Sequence, residues 1–363
     1  MLRIPGPTPC PEEVLQAMTK QMINHRGVEF QALIGSITSR LKEFFQTKGD
    51  VLILTASGTG GMEAAVVNTL SPGDKVLAVC NGVFGERFAA IAETFGAEVT
   101  RLSFPWGQPD DPDAVRRTLA SDKSIKAVLV THNETSTGVT SDLAAISAVV
   151  KQYDKLLLVD AVSSLSSIDL QTDSWGCDVV ITGSQKGWMV PPGLAFISMS
   201  ENAWKAHAQA RMPRFYWDFA QAKKYLKSGQ TPWTPAVSIF YALDVALELM
   251  ANEGLVNIFA RHARIGQKTR DQVKALGLPL FAVEKYASNT VTAVKAADGL
   301  DTNRLLQILR EEHDVILAEG QGKLAGKIFR IAHLGWVTET DIDAVIERLR
   351  AALPKAGFSA AST

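Results

Sequence analysis

Continuous apolar runs punctuate the first part of the chain: Val51-Leu52-Ile53-Leu54, Ala127-Val128-Leu129-Val130, Leu156-Leu157-Leu158-Val159 and Val179-Val180-Ile181. Strands covered on both faces read this way, whereas strands with one wet face alternate apolar and polar residues. The runs predict strands at Val51–Thr55, Lys75–Cys80, Glu98–Ser103, Ala127–Thr131, Leu156–Asp160, Val179–Thr182 and Leu194–Ser198. Helical patterns fill most of the gaps, at Gly60–Leu70, Gly85–Phe95, Pro112–Leu119 and Leu143–Lys151. Strand alternating with helix implies an α/β domain around a mostly parallel sheet. The last two strands lie close enough in sequence to pair antiparallel.

The texture changes after about Pro235. A long helical stretch, Ser238–Ala275, is interrupted near Asn252-Glu253-Gly254. Strands at Thr290–Val294, around Val315–Leu317 and at Lys327–Ala332 then mix with helices at Asp301–Glu312 and Glu339–Ala352. This α+β pattern predicts a second, smaller domain. The start is different again: four prolines in the first eleven residues predict an extended arm, followed by two helical pieces across 12–46. The expected division is an arm over 1–15, a large domain over 16–245 and a small domain over 246–363, with a tail that frays from Lys355.

A chain of 363 residues has room for one large and one small domain. With 46% hydrophobic and 21% charged residues, the composition is that of a globular protein. The net charge of −1 gives no footprint for nucleic acid, and no apolar stretch suits a membrane span or secretory leader. Cys10, Cys80 and Cys177 are scattered and show no metal-site spacing, so no metal is expected and a reducing, cytoplasmic location is.

Three stretches carry chemistry. In Ser184-Gln185-Lys186-Gly187-Trp188-Met189-Val190-Pro191-Pro192-Gly193, a lysine sits among apolar residues between two core strands. Burial disfavours the charged form of such an amine and suits it to Schiff-base chemistry, although a surface lysine in a salt bridge is the plainer alternative. Asp160 ends a buried strand, the edge at which open α/β sheets bind ligands; it could equally cap the next turn. Ser57-Gly58-Thr59-Gly60-Gly61 follows a strand and opens a helix, a setting for an anion or simply a glycine-rich turn. It lacks the lysine of a nucleotide-binding loop and the spacing of a dinucleotide one. In this order on one domain, the three are the parts that a pyridoxal 5′-phosphate site needs: a nest for the phosphate, a carboxylate for the pyridine nitrogen, and a lysine for the aldehyde.

Nearly the whole chain resembles the class V (fold type I) aminotransferases of the alanine–glyoxylate, serine–glyoxylate and serine–pyruvate branch. The resemblance lies in PGPTP (5–9), NHRGVEF (24–30), SGTGGMEAA (57–65), NGVFGER (81–87), THNETSTGV (131–139), VDAVSSL (159–165), GSQKGWMVPPG (183–193), TPWTPAVSIFYAL (231–243) and KIFRIAHLG (327–335). It implies a large domain with a mostly parallel seven-stranded sheet, a smaller α+β C-terminal domain, and a homodimer. It implies transfer of an amino group from a small amino acid, alanine or serine, to glyoxylate or another small 2-oxo acid. Lys186 would form the imine and shuttle the proton, and Asp160 would pair with the pyridine nitrogen above Val162. Ser57, Gly58, Thr59 and Gln185 would meet the phosphate, and Thr135 the ring hydroxyl or the substrate. Thr231 and Thr234 would reach the phosphate of a neighbouring subunit. Arg330 would clamp the substrate carboxylate, with Gly6 lining the pocket. Two positions depart from the branch: Phe84 stands where a tryptophan often stacks on the ring, and Thr231 where some relatives have tyrosine. His25, His132 and His333 also lie in or beside motifs; His333 is assigned no role and reads as a satisfied structural histidine.

Three other readings compete. A lyase or desulfurase on the same fold needs a reactive cysteine on a mobile loop, and none of the three cysteines lies on one. A phosphonate-type enzyme has no α-carboxylate to grip, which makes Arg330 superfluous. A non-catalytic scaffold has no need of Lys186, Asp160 and Arg330 together.

Overall fold

A computed structural model describes residues 1–358. The chain opens with β1 (Leu2–Arg3), α1 (Glu12–Ala17) and α2 (Val28–Phe45). Then follow β2 (Asp50–Ala56), α3 (Gly58–Thr69), β3 (Lys75–Cys80), α4 (Val83–Thr94), β4 (Glu98–Ser103), α5 (Pro112–Ser121) and β5 (Ala127–Thr131). A short hairpin, β6 (Asn133–Glu134) and β7 (Val139–Thr140), precedes α6 (Leu143–Gln152), β8 (Leu156–Asp160), β9 (Val179–Gly183) and β10 (Gly193–Met199). Helices α7 (Glu201–Gln209), α8 (Phe219–Leu226), α9 (Val237–Glu253) and α10 (Leu255–Ala275) lead to the last segment. It holds β11 (Val291–Lys295), α11 (Thr302–His313), β12 (Ile316–Glu319), β13 (Ile328–Ala332) and α12 (Glu339–Ala352).

The large sheet has seven strands in the order β2-β10-β9-β8-β5-β3-β4. All its pairs are parallel except those of β10, which runs antiparallel to β2 and β9. The short connection from β9 to β10 dictates that reversal, since a parallel return needs a long crossover. The apolar runs serve both faces. Val128, Val130, Leu157 and Val159 point into one core, and Ala127, Leu129, Leu156 and Leu158 into the other. Strand β4 closes one edge, and there Arg101 pairs with Glu86 and Glu93, a charged guard against edge-to-edge association.

The second sheet has the order β1-β12-β13-β11 and packs with α10, α11 and α12 around its own core. Gly254, at φ +82°, supplies the turn between α9 and α10 at the expected interruption. The division expected at 245/246 falls inside α9; the first core continues to Ile258 and the second begins at Ile265. Three features lacked an advance signal: the hairpin β6–β7, the strand β1, and helices α7 and α8. The expected fraying from Lys355 does not begin there. Pro354–Ala356 form a turn of 3-10 helix, Ala356 is buried, and Phe358 packs on the second core. Residues 359–363 of that tail lie outside the described residues. Among the described residues, no helix is long and apolar enough to cross a membrane.

Candidate functional site

The C-terminal ends of β2, β8 and β9 converge, and the chemistry-bearing residues leave from them. The turn after β9 is held by its apolar members. Trp188 is fully buried 5.2 Å from Phe196, its indole N–H donates to Thr182 Oγ1 at 3.0 Å, and Ser184 Oγ donates to the Pro191 carbonyl at 2.7 Å. Lys186 is thereby fixed at both flanks and only half-buried. Its Nζ donates to the carbonyl of Pro5. The arm docks on the same turn, with Thr8 N donating to the Gln185 carbonyl at 3.1 Å and Thr8 Oγ1 to the Lys186 carbonyl at 3.0 Å. Gly6 has φ +141°, and a Cβ there would lie 2.6 Å from Lys186 Nζ, so the close approach requires glycine.

Asp160 is 4% exposed; its Oδ1 accepts from Val162 N at 2.9 Å, and Thr131 Oγ1 stands 3.5 Å from Oδ2. Burial pushes its carboxyl up to about 6, although Lys186 and Arg87 draw it back. Burial likewise pushes the Lys186 amine down to about 8, against the pull of Asp160. Ser57 caps α3 by accepting from Gly60 N at 3.3 Å, which leaves the N–H groups of Gly58 and Thr59 at the helix start without intrahelical partners. A Cβ on Gly58 would come within 2.7 Å of Val162, so glycine lets these two segments touch. Gln185 Oε1 is buried beside them with no partner.

Arg330, on β13, is 4% exposed and aimed at the same place. Its Nε and Nη2 donate to the Glu319 carbonyl at 3.0 and 2.8 Å, and its Nη1 donates to the Thr135 carbonyl at 3.0 Å and to Gln321 Oε1 at 3.3 Å. Backbone acceptors thus fix the guanidinium plane, and Gln321 supplies its side-chain acceptor.

These groups line two adjoining cavities that share Phe84, Thr135, Lys186 and Gln321. The inner cavity, about 240 Å³, holds Ser57, Gly58, Thr59, Asp160, Val162 and Gln185. The outer one, about 640 Å³, holds Gly6 and Arg330. Thr231 and Thr234 line neither cavity. Thr231 Oγ1 donates to the Trp233 carbonyl at 2.7 Å, and Thr234 is exposed. His132 and His333 are buried, with ring pKa values pushed down to about 4 and about 3. His333 is satisfied by Thr292 Oγ1 at 2.9 Å and the Asn289 carbonyl at 3.1 Å. None of Cys10, Cys80 or Cys177 lines either cavity, and among the described residues no three His, Cys, Asp or Glu side chains gather as metal ligands.

Sequence reasoning passed over several residues here. Glu134 is fully buried in the β6–β7 hairpin; its carboxylate accepts from Phe84 N at 2.9 Å, Gly85 N at 3.1 Å, Ser136 N at 3.1 Å and Ser136 Oγ at 2.6 Å. It therefore caps α4 from across the fold and anchors the backbone that carries Phe84; these bonds favour its charged form, while burial, the larger effect, raises its pKa. Asn133 Nδ2 ties the two domains by donating to Ser163 Oγ at 2.8 Å and Thr290 Oγ1 at 2.9 Å. Both stand inside the THNETSTGV motif, but nothing in a single sequence shows which groups they meet.

The displaced pKa values have a consequence for stability. The raised Asp160 value favours the fold fully below pH 4, and that contribution is lost as pH rises through about 6. The lowered Lys186 value favours the fold above about 10.5, and that contribution is lost as pH falls through about 8. The ligand-free protein thus carries both penalties between pH 6 and 8. Denaturant midpoints of ligand-free wild type and Asp160→Asn, compared from pH 4.5 to 7, should diverge, the variant losing less stability by up to about 2 kcal/mol. Parallel curves would mean that the carboxyl is not desolvated.

The family described as Aminotransferase class-V matches residues 1–334. A relative from Synechococcus sp. (strain PCC 6716), named soluble hydrogenase small subunit, is 47% identical over 362 residues, covering 99% of this chain and 94% of its own length. The L-aspartate–glyoxylate aminotransferase of Paracoccus denitrificans (strain Pd 1222) is 41% identical over 343 residues, 93% of this chain and 86% of that one. The crystal structure of alanine–glyoxylate aminotransferase from Nostoc sp. is similar with a TM-score of 0.94 at 32% identity, covering 97% of this chain and 94% of that chain.

Proposed function

Because the chain belongs to the class-V aminotransferases, we propose that it uses pyridoxal 5′-phosphate to move an amino group from alanine or serine to glyoxylate or another small 2-oxo acid. The observation that carries this reading is the meeting of Lys186, Asp160 and Arg330, from distant parts of the chain, around two adjoining cavities.

The residues fit the cofactor. The free N–H groups of Gly58 and Thr59, with Ser57, suit a phosphate at the start of α3. The unpaired amide of Gln185 lies beside them and can turn its NH₂ toward the same anion. Phe84 and Val162 would flank a flat ring, Thr135 would meet its hydroxyl, and Asp160 would hold a proton on its nitrogen. Bound there, pyridoxal phosphate would supply an electron sink for charge developing at the substrate Cα. Lys186 Nζ would take and return the Cα proton; a pKa of about 8 leaves a useful fraction of neutral amine near neutral pH. Gly6 and Pro5 would close the pocket over it.

Thr231 and Thr234 are proposed to serve the phosphate of a second copy, making the enzyme a homodimer. The exposed stack beside them supports this: Phe215 and Tyr216 lie 5.0 and 5.8 Å from the Trp233 ring, and Phe215 is 78% exposed. A cytoplasmic location is proposed on the three free cysteines.

Arg330 would grip the α-carboxylate. Arg330→Lys loses the planar fork and Arg330→Ala the charge as well. Either is expected to lower kcat/KM for alanine, serine and glyoxylate, by about 2–4 kcal/mol for alanine substitution, roughly 30- to 1000-fold. A simple amine without a carboxylate should be slowed far less. Equal losses for the amine and the amino acid would make Arg330 structural and reopen the phosphonate-type reading. A matrix of donors (alanine, serine, aspartate) against acceptors (glyoxylate, pyruvate), followed through the cofactor's spectrum, tests the whole reading; no exchange with any pair would overturn it.

A further inference from the structure

Two cationic side chains line the inner cavity, Lys186 and Arg87. The reading above commits Lys186 to the aldehyde end of the cofactor. It leaves a phosphate dianion at the start of α3 with backbone N–H groups, a hydroxyl, an amide and a helix end worth about half a charge. That nest contains no lysine or arginine of its own.

Arg87 stands beside it. It follows Phe84 by one turn on α4, its guanidinium lies 4.8 Å from the centre of the Phe84 ring, and its Nη1 donates to Thr59 Oγ1 at 3.3 Å. The helix that carries it is anchored by Glu134 through the N–H groups of Phe84 and Gly85. Of the acids near it, Glu86 and Glu93 both pair with Arg101 and Glu134 faces four donors of its own, while Asp160, across the cavity, feels its charge without forming a salt bridge with it. Among the described residues Arg87 forms no salt bridge, although a half-buried guanidinium gains from an anionic partner.

Resting on the proposed cofactor, we infer that Arg87 is the charge partner of the phosphate, reaching over the Phe84 ring to a phosphomonoester seated on Gly58 and Thr59. One helix turn would then deliver both the ring's stacking partner and the phosphate's counter-charge.

The rival role for Arg87 is a prop that holds Phe84 by its face. Pyridoxal separates the two, since it has the ring and aldehyde of the cofactor but no phosphate. Full-length wild type, Arg87→Met and Arg87→Lys, stripped of cofactor, are titrated with each compound by visible absorbance. Arg87→Met should weaken pyridoxal phosphate about 10- to 100-fold and leave pyridoxal within about twofold, with Arg87→Lys in between. Inorganic phosphate should restore part of the lost ring affinity when added with pyridoxal to wild type, and not to Arg87→Met. Equal weakening of both compounds would make Arg87 a prop, and no weakening of either would remove it from the site; both results overturn the inference. A wild type that binds neither compound would overturn the cofactor itself, a result distinct from either.

Discussion

Replacing Lys186 by alanine is expected to lower amino-group transfer by at least about 10⁴-fold, because in the proposed mechanism one side chain would both hold the cofactor's aldehyde and move the Cα proton. The visible absorption of bound pyridoxal phosphate should change to that of the free aldehyde. The fold should survive, since the turn is held by Trp188 in the core and by the hydroxyl of Ser184 rather than by the lysine. Loss of the Nζ bond to the Pro5 carbonyl removes one tie of the arm, but the Thr8 bonds to the Gln185 and Lys186 carbonyls remain. Turnover by Lys186→Ala within about tenfold of wild type would show that another base takes the proton, and Lys186 would lose its place at the centre of the mechanism.

Asp160→Asn should cost roughly 10²–10³-fold in kcat, the scale seen when a preorganised electrostatic group is removed from a site. Asparagine keeps the shape and can still accept from Val162 N, so the bond at 2.9 Å survives. What disappears is the negative charge proposed to hold a proton on the ring nitrogen. The loss should fall on kcat more than on substrate affinity, which the proposal assigns to Arg330 at the other wall. An asparagine variant within a few-fold of wild type would mean that the ring nitrogen works unprotonated or has a second partner.

The sheet was legible because its strands are buried on both faces. Runs such as Leu156–Val159 leave little room for a helical or half-exposed reading, and the strand ends at Asp160, Cys80 and Ser103 follow from the turns after them. The reversal at β10 followed from loop length. Motifs placed Lys186, Asp160, the α3 nest and Arg330, and the structure brings all four to the cavities. The β6–β7 hairpin was hidden because two-residue strands carry no periodicity. Glu134 and Arg87 were hidden for a different reason. Each is an ordinary charged residue on a local element, and its significance arises only where two elements meet. Local pattern also misjudged the start of the tail, whose aromatic residue, Phe358, finds the second core.

The arm has a consequence for how the protein is made. Leu2 and Arg3 lie in register with Ile316 and Leu317, and Arg3 pairs with Asp341, while Pro5 closes on Lys186. Residues 2–5 therefore await partners that are made about 180 to 340 positions later in the chain. Strands β2 to β10 can collapse into their sheet while the arm is still unattached, since their contacts lie within their own stretch of chain. The catalytic pocket has no such freedom. Its contacts span nearly the whole chain, the kind of non-local closure that is slow to form. Completion of the pocket thus waits on synthesis of the segment through Arg330, and a product that stops before it can be folded in its large sheet yet lack an enclosed site.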